Sequence, residues 1–395
     1  MQVVIQRTSA APSNTGWIGP APSGLAISAI LLIGTVGMLI AGVQTVVLDA
    51  LVLEGRLTSA WLGWTTTAEF LALGLGIVLS GLLSQPRHLR WVIALAALAA
   101  LVADLAVLRQ TGLSIVINRS VAGLAEGVLT WLPGCMIARS ASPTRWSGIF
   151  LTLQAVAQLT FTAIVPATLM SSYGANGGFL GLAVTAVLAM LGSLFIPTAF
   201  VELPRPTRLH GVSVLGSPTA IASLVSVLGI AAFSIGLFAY LGPLATQAGL
   251  DTRLLGLAVS ASLAAQIAGS ALAAAASKWL TYYPLFAISV VINITLLTVY
   301  ASMPSPPLFI AASAVFGFFW MFFLPFQLPL VIEADPTRRI AVILSGVQLF
   351  GCAAGPYLCS LFVTETDARG ALVVCGLCFL GSFVISTVIH FTRRR

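Results

Sequence analysis

The sequence has very few charged residues. Only 7% of its 395 residues are charged and 58% are hydrophobic, whereas a soluble globular domain carries about 25% charged residues. With a mean hydropathy of +1.05, the chain cannot cover its own surface with polar groups, so its outer surface must face lipid. This composition excludes a soluble enzyme, a disordered protein and a nucleic-acid-binding protein.

The motifs of enzymes and of ATP-driven pumps are absent as well. The three histidines, His88, His210 and His390, are far apart in sequence, and there is no HExxH metal motif and no Walker nucleotide motif. We therefore expect no catalytic residue, no metal and no cofactor. A membrane-embedded enzyme, a channel or a sensor is a distant alternative.

Cysteine is scarce and falls only in apolar runs. Cys375 and Cys378 have the spacing of a metal motif, but no histidine lies close to them in sequence. We interpret them, with Cys135, Cys352 and Cys359, as small packing residues and predict no disulfide.

Twelve long apolar runs make up most of the chain. A helix that crosses a membrane needs about 20 mostly apolar residues, and these runs are too continuously apolar for barrel strands, whose residues alternate. The sequence therefore predicts an all-α integral membrane protein. The predicted spans, numbered 1 to 12, cover residues 24–48, 59–83, 90–109, 113–138, 143–171, 177–199, 217–246, 253–276, 283–302, 306–332, 336–362 and 369–392.

The basic residues indicate the orientation. With both termini in the cytoplasm, the cytoplasmic segments hold 13 of the 18 basic residues and the outer loops hold 4, while Arg119 lies inside a span. Cytoplasmic loops are enriched in Lys and Arg, so both termini are predicted to be cytoplasmic. Trp61, Trp91, Trp146 and Trp279 lie near span ends, where indole rings are favoured.

An internal repeat divides the chain in two. After a shift of 193 residues, the segment 141–145 (Ala-Ser-Pro-Thr-Arg) matches 334–338 (Ala-Asp-Pro-Thr-Arg). In each copy we expect Ser142 or Asp335 to cap a helix whose first turn holds the proline. Two six-helix halves in the same orientation suit a transporter with one central site.

The polar segments set the boundaries of these halves. Residues 1–23 are rich in Ser, Pro and Gly and have no cleavage site, so we predict a disordered cytoplasmic tail rather than a signal peptide. Residues 24–199 and 217–395 form the two predicted bundles, and residues 200–216 form a cytoplasmic linker.

With these features the chain resembles the major facilitator superfamily. Span 4 carries the family's R-x-x-x-G-x-x-x-G pattern as Arg119, Gly123 and Gly127. The resemblance implies that spans 1, 4, 7 and 10 line a central path. Residues 149–173 lack the glycines that proton-driven drug exporters of the family carry in span 5, which favours import slightly over export.

The loop after span 2 retains part of another family motif. Gly81 and Arg90 match it, but Gln85 replaces its acidic residue and His88 replaces its glycine. The resemblance implies a cytoplasmic gate at Gly81 and Arg90, without a latch formed by the missing acid.

Four charged residues fall inside the predicted spans. They are Glu69 in span 2, Asp104 in span 3, and Arg119 and Glu126 in span 4. Each costs at least about 2.5 kcal/mol at membrane depth. Asp104 and Arg119 lie at similar depths on consecutive spans, so we predict an ion pair. The alternative is that Arg119 faces the cavity and binds a substrate carboxylate.

The two glutamates are candidates for proton coupling. Glu126 lies seven residues after Arg119, on the same face of span 4 and near mid-membrane. There it could load a proton on one side and release it on the other, or else be a neutral buried residue. Glu69 is a second proton site or a partner of Arg119. Asp49 and Glu54 lie just outside span 1 and are predicted to be solvated.

Aromatic and amide residues on the expected path indicate the kind of solute. An aromatic wall suits a ring-bearing solute, although aromatic residues also pack helices and face lipid. The candidates are Gln44, Phe238, Tyr240, Trp320 and Gln327.

The sequence thus predicts a proton-coupled secondary transporter for an aromatic or other organic anion. The alternative is a proton-antiport pump for hydrophobic or cationic drugs. Its predicted partners are the solute, protons and the bilayer of a bacterial inner membrane. It is expected to work as a monomer and to bind no nucleic acid.

Overall fold

The computed structural model describes residues 17–83, 87–203, 217–364 and 367–393. Within these residues it contains 12 helical spans that are long and apolar enough to cross a membrane. Eight of them are single helices. These are Ser59–Leu83 (span 2), Leu89–Val107 (span 3), Leu113–Arg139 (span 4), Ala175–Gly192 (span 6), Pro218–Gln247 (span 7), Thr252–Ala276 (span 8), Tyr282–Ala301 (span 9) and Gly370–Arg393 (span 12).

The other four spans are interrupted. Span 1 consists of Gly24–Gly37 and Ile40–Leu53, so it extends beyond the predicted residue 48. The π-helix Pro166–Met170 and the turn Ser171–Tyr173 follow Pro143–Val165 in span 5. Span 10 contains Pro306–Phe323, a 3-10 turn at Leu324–Phe326 and Gln327–Ala334, while span 11 contains a 3-10 turn at Ile340–Ile343 and then Leu344–Ser360. A proline explains the break in span 10, because Pro325 cannot donate the helical hydrogen bond.

Glycines let span 2 pack closely against span 4. A Cβ atom at Gly123 would clash with the carbonyl oxygen of Glu69, and one at Gly127 would clash with that of Leu73. Small residues of this kind allow helix backbones to approach each other in membranes. The contact fixes which face of span 4 meets span 2.

The last six spans contain the equivalent contact. A Cβ atom at Gly317 in span 10 would clash with the carbonyl oxygen of Ser262 in span 8. Ser262 lies 193 residues after Glu69, so the repeat found in the sequence extends to helix packing.

Hydrogen bonds at the span ends repeat in the same way. Glu54 Oε1 accepts from the Ala175 N–H at 2.6 Å, and Gln247 Oε1 accepts from the Ala368 N–H at 3.0 Å. Both residues of the second pair lie 193 positions after those of the first. Glu54 is exposed, as predicted, and its carboxylate also holds the start of span 6. Asp49 is exposed.

Asp367 belongs to the second of these junctions. Its carboxylate accepts from the Arg369 N–H at 2.9 Å and from Gln247 Nε2 at 3.0 Å. These hydrogen bonds hold the pKa of Asp367 below its usual value, because they favour the ionised form.

The two sets of six spans meet at one side of the bundle. We name the side where span 1 begins and span 12 ends the terminal side, and the other the opposite side. Near the terminal side, Gly148 of span 5 packs against Ala274 of span 8, and Thr152 Oγ1 donates to Ser270 Oγ at 3.1 Å. These contacts close the seam between spans 5 and 8.

A second seam lies between spans 2 and 11. Gly74 packs against Phe350, and Gly81 packs against Ile343. Buried apolar residues from both sets, including Ile343, form one cluster there. The contacts at both seams close the bundle on the terminal side.

Arg338 bridges the two sets on the terminal side. Its Nη1 donates to the carbonyl oxygens of Ala138 and Ser140, each at 3.0 Å. These carbonyls lie at the end of span 4, where helical partners are missing and a cation is favoured. Arg338 adopts a left-handed conformation with φ of 60°, which ends the turn before span 11.

This turn corrects the predicted helix start. Pro336 lies in a turn rather than in the first turn of a helix, and Asp335 accepts from the Thr337 and Ile340 N–H groups at 3.1 Å. In the first copy Pro143 does begin the helix, but the Ser142 side chain makes no capping hydrogen bond.

The end of span 4 also holds parts of the two polar segments. The Ile18 N–H donates to the Arg139 carbonyl oxygen at 2.9 Å, and Arg139 Nε donates to the Val201 carbonyl oxygen at 2.8 Å. Residues 17–23 therefore do not fit the predicted disordered tail. The rest of that tail, residues 1–16, and linker residues 204–216 lie outside the described residues.

Candidate functional site

The four charged residues that the sequence places deep within the first six spans lie in contact with one another. Arg119 Nη1 donates to Asp104 Oδ1 at 2.5 Å, and its Nη2 donates to Glu69 Oε1 and to Glu126 Oε1, the latter at 3.2 Å. The structure thus places the predicted Asp104–Arg119 pair in contact and adds both glutamates to it. We call these four residues the carboxylate cluster.

Neighbouring side chains complete this cluster. Gln44 Nε2 of span 1 donates to Glu69 Oε2 at 2.9 Å, and the Arg119 guanidinium lies 5.7 Å from the centre of the Phe179 ring in span 6. The side chains of Arg119 and Glu69 are 0% exposed. Among the described residues, two buried polar atoms of the cluster, Arg119 Nε and Glu126 Oε2, have no hydrogen-bond partner.

The glycine pattern of span 4 explains how the cluster forms. Arg119, Gly123 and Gly127 are spaced four residues apart, so they lie along one face of the helix. The glycines bring span 2 close, with Gly123 directly against the backbone of Glu69. The guanidinium one turn away then reaches the Glu69 carboxylate.

The charges of the cluster do not balance. Three carboxylates surround one guanidinium, so the fully ionised cluster would carry two excess negative charges. Uncompensated buried charge is strongly unfavourable. Protons relieve this excess when they bind to the carboxylates, so the cluster has the chemistry of a proton-binding site.

The break in span 1 lies next to the cluster. A Cβ atom at Gly37 would clash with the Glu126 carbonyl oxygen and with Thr130 Oγ1. Just after Gly37, the Met38 carbonyl oxygen accepts a hydrogen bond from Gln158 Nε2 of span 5 at 3.0 Å. The sequence analysis did not identify Gln158, although an amide within an apolar span was the available signal.

The predicted cavity residues divide into two groups. Phe238, Tyr240 and Trp320 are half-buried, and the rings of Phe238 and Trp320 are 5.8 Å apart. Gln44 and Gln327 are only 4% and 1% exposed. In this conformation neither amide lies on an open cavity wall, and each makes a side-chain hydrogen bond within its own set of six spans.

Those hydrogen bonds use neighbouring polar groups. Gln44 donates to Glu69, and Gln327 Oε1 accepts from Gln348 Nε2 at 2.9 Å. Glu126 is likewise buried, with a side-chain exposure of 7%, rather than open to a cavity.

The two gate candidates lie in different environments. Gly81 meets span 11 at Ile343, so it lies on the seam between the two sets. Arg90 Nε donates to the Ile196 carbonyl oxygen at 2.8 Å and thus binds within the first set. Arg338, which the sequence analysis counted only as a loop charge, makes the bridge instead. Gln85 lies outside the described residues.

A second titratable cluster lies in the last six spans. Tyr282 donates to Glu333, and its hydroxyl lies 2.9 Å from His390 Nδ1, which is 3.3 Å from Glu333 Oε1. Span 10 extends to Ala334 and so includes Glu333. The predicted span 10, which ended at residue 332, did not include this carboxylate.

The cysteines are all free. Cys359 Sγ and Cys375 Sγ lie 3.7 Å apart beside Gly236. In the described part of the chain, no group of three or more His, Cys, Asp or Glu side chains could hold a metal ion.

Similarity to known proteins is found at the level of the fold. No protein-family model matches the chain, and comparison with curated protein sequences gives no match. Among solved structures, the E. coli fucose:proton symporter FucP in its outward conformation has a TM-score of 0.72 at 10% identity, covering 92% of this chain and 98% of FucP.

Two further structures agree with this result. The proton:xylose symporter XylE, bound to 6-bromo-6-deoxy-D-glucose, has a TM-score of 0.68 at 15% identity, covering 91% of this chain and 94% of XylE. The human organic anion transporter MFSD10 has a TM-score of 0.66 at 12% identity, covering 93% of this chain and all of MFSD10 (100%). With its 12 apolar spans, this chain is an integral membrane protein with the fold of the major facilitator superfamily.

Proposed function

We propose that this protein is a secondary active transporter that couples the movement of a small organic solute to protons. Residues 24–199 and 217–395 act as two halves, joined by the linker 200–216, which rock against each other around a central path. The observation that carries the proposal is the carboxylate cluster, in which three buried acids share one guanidinium.

The charge imbalance supplies a mechanism for coupling. The cluster binds protons from water before it closes off, because two excess negative charges are costly in a buried site. When the path opens, water stabilises the ionised carboxylates and protons leave. Glu126 is the best placed to exchange protons, since its Oε2 atom has no hydrogen-bond partner in the described part of the chain. Glu69 and Asp104 carry the other two carboxylate charges of the cluster.

Alternating access is supported by where the halves meet. Contacts across both seams lie toward the terminal side, at Gly148–Ala274 and Gly81–Ile343. With the termini in the cytoplasm, as the basic residues favour, this conformation is closed toward the cytoplasm. FucP, one of the similar structures, is in an outward conformation.

The contacts of Arg119 favour some charges of the solute over others. In the anion hypothesis Arg119 binds a substrate carboxylate, but both of its terminal nitrogens already donate to carboxylates of the protein. An anionic solute would have to displace one of them. A neutral solute, or one carried with protons, fits this site better than an anion bound directly by Arg119.

A cationic solute is the second candidate. The close contacts at Gly123 and Gly317 make spans 4 and 10 equivalent after a shift of 194 residues, so Trp320 is the counterpart of Glu126. An axis along the membrane normal would put these residues at one depth on facing helices. A carboxylate opposite an indole ring suits an aromatic cation. Such a cation is the kind of solute that a proton-antiport drug exporter would carry.

Ligand-dependent thermal stability distinguishes these candidates. The purified protein in detergent is heated at pH 6 and pH 8 with aromatic carboxylates, aliphatic acids, sugars or lipophilic cations, because a specific ligand raises the melting temperature. Stabilisation by carboxylates at pH 6, lost in Arg119→Gln, supports the anion hypothesis. Stabilisation by cations, lost in Glu126→Gln, supports the exporter.

The control for this experiment is Asp49→Asn, which removes an exposed carboxylate. Proton coupling is contradicted if ligand stabilisation has the same pH dependence in the wild type and in the double variant Glu69→Gln/Glu126→Gln. We propose further that the protein works as a monomer in a bacterial inner membrane, since the path lies between the halves of one chain.

A further inference from the structure

A groove lies at the terminal side of the seam between spans 5 and 8. Its volume is about 580 Å³, and residues from 141–145 and 274–279 line it. One wall is the turn that leads into span 5 and the other is the end of span 8. Ala274, one of the lining residues, packs against Gly148 of span 5. The groove therefore opens where these two spans reach the membrane surface.

The groove is cationic. Arg145 and Lys278 line opposite walls, and none of the described lining residues is acidic. Both side chains are exposed. Within the described residues, neither makes an ion pair or a side-chain hydrogen bond, and the Lys278 ammonium lies 4.2 Å from the centre of the Trp279 ring. Two cations thus face one cavity in which no described side chain is an anion.

The repeat shows what an arginine at this position can do. Arg145 is the repeat counterpart of Arg338, which donates to two backbone carbonyl oxygens across the other seam. At the seam between spans 2 and 11, the protein itself supplies the acceptors. At the seam between spans 5 and 8, the equivalent arginine is exposed and faces an open groove, where a ligand can supply its acceptors.

The surroundings of the groove identify the class of ligand. Trp279 is 71% exposed at the span end, as an indole at the membrane interface would be. Leu153 and Leu272, within about 12 Å along the same spans by helical rise, are 41% and 48% exposed and offer apolar surface to acyl chains. Basic pockets between spans on the cytoplasmic side bind anionic headgroups.

We propose that this groove binds the headgroup phosphate of an anionic phospholipid, with Arg145 and Lys278 as its ligands. Because these residues belong to different halves, the bound phosphate joins the halves across the seam. The lipid then stabilises the conformation that is closed on the terminal side. This role is independent of the solute and of the carboxylate cluster.

The test uses native mass spectrometry and thermal unfolding of the purified full-length protein in detergent. Phosphatidylglycerol is compared with phosphatidylcholine of the same acyl chains and with inorganic phosphate. We expect saturable binding and stabilisation by phosphatidylglycerol alone. Each basic residue contributes about fivefold to the apparent affinity, and the two together roughly 25-fold, so Arg145→Ala/Lys278→Ala should lower it by that factor.

Two variants serve as controls. Arg145→Lys/Lys278→Arg keeps both charges and should retain most of the affinity, whereas Arg369→Ala removes an exposed charge on the opposite side and should bind like the wild type. Unfolding without lipid verifies that each variant is folded. The proposal is overturned if the double alanine variant binds phosphatidylglycerol as tightly as the wild type. It is also overturned if inorganic phosphate reproduces the stabilisation in full.

Conformation gives an independent readout. A cysteine at Ser270, which contacts Thr152 across the seam, reports opening on the terminal side by its reaction with a maleimide. Phosphatidylglycerol should slow this reaction several-fold, and the double alanine substitution should remove the effect. An unchanged rate with lipid bound would contradict the proposed link between the halves.

Discussion

At the scale of single residues, Arg119 is the central group of the site. It is the cation shared by Glu69, Asp104 and Glu126, and it is completely buried. The consequences of removing it therefore differ from those of removing any one acid.

The first prediction concerns this asymmetry. Arg119→Gln leaves three buried carboxylates without a cation and should destabilise the protein by about 3–5 kcal/mol. Asp104→Asn leaves Arg119 with two carboxylates and should cost less than about 1 kcal/mol. Chemical unfolding in detergent measures both. A larger loss in Asp104→Asn than in Arg119→Gln would contradict the shared-cation arrangement.

Much of this cluster could be predicted at the residue level. The cost of burying charge singled out its four members, and the depths of Asp104 and Arg119 predicted their contact. The roles of Gln44 and Gln158 could not be predicted in the same way. Whether an amide faces a cavity or a neighbouring carboxylate depends on helix rotation, which apolar composition does not determine.

At the scale of helices, glycine positions determine which spans touch. Gly127 lies against the backbone of span 2, whereas Gly381 in span 12 has no atom within 4 Å of an added Cβ. The two glycines therefore make a matched pair for substitution.

The second prediction uses this pair. Gly127→Leu should destabilise the protein by about 1–3 kcal/mol through overpacking, and it should abolish pH-dependent ligand stabilisation because it separates Glu69 from Arg119. Gly381→Leu should be neutral or slightly stabilising, since leucine favours helix more than glycine does. Thermal unfolding of both variants measures the difference. Equal effects would show that spans 2 and 4 do not pack as described.

The third prediction concerns the bridge at the start of span 11. Arg338→Ala removes two charged hydrogen bonds to the end of span 4 and should weaken the closed terminal side by about 1.5–3 kcal/mol. A cysteine at Ser270 should then react faster with a maleimide than in the otherwise unchanged protein. Arg369→Ala is the control, and an unchanged rate in Arg338→Ala would contradict the bridging role.

Helix ends were harder to predict than helices. The pattern Pro-Thr-Arg occurs in both repeats, yet Pro143 begins a helix and Pro336 lies in a turn. The difference arises because Arg338 adopts a left-handed conformation to reach the other half. A tertiary contact of this kind leaves no signal in local sequence.

At the scale of the whole molecule, the two halves share a framework but differ in chemistry. The hydrogen bonds of Glu54 and Gln247 at the span ends are equivalent. Where the first half has Glu69, the second half has Ser262, and where the first has Glu126 the second has Trp320. At these two positions the first half therefore carries carboxylates and the second half does not. The titratable groups of the second half, Tyr282, Glu333 and His390, lie instead near the terminal side.

The fold as a whole could be predicted from composition, span count and the repeat. These three features follow from what the bilayer requires of a chain that crosses it, rather than from details of side-chain packing. The conformation could not, because the positive-inside pattern is the same whichever side is open. Contacts across the seams, such as those at Gly81, Gly148 and Arg338, show that the terminal side is closed.

The central claim, that protonation of the carboxylate cluster drives alternating access, can be tested without knowing the solute. Gly63 and Gly256 are exposed repeat counterparts at the opposite side, with no atom within 4 Å of an added Cβ. Spin labels on cysteines at these positions report the distance between the halves as a function of pH.

Measuring the spin-label distances over a series of pH values tests this central claim most directly. In the wild type, a fall in pH should shift the distribution from long to short distances, because the neutral cluster no longer requires water. Glu69→Gln/Glu126→Gln should show the short distance at every pH, and Asp49→Asn should behave like the wild type. A pH response that persists in the double glutamine variant, or is absent from the wild type, would contradict proton-driven alternation.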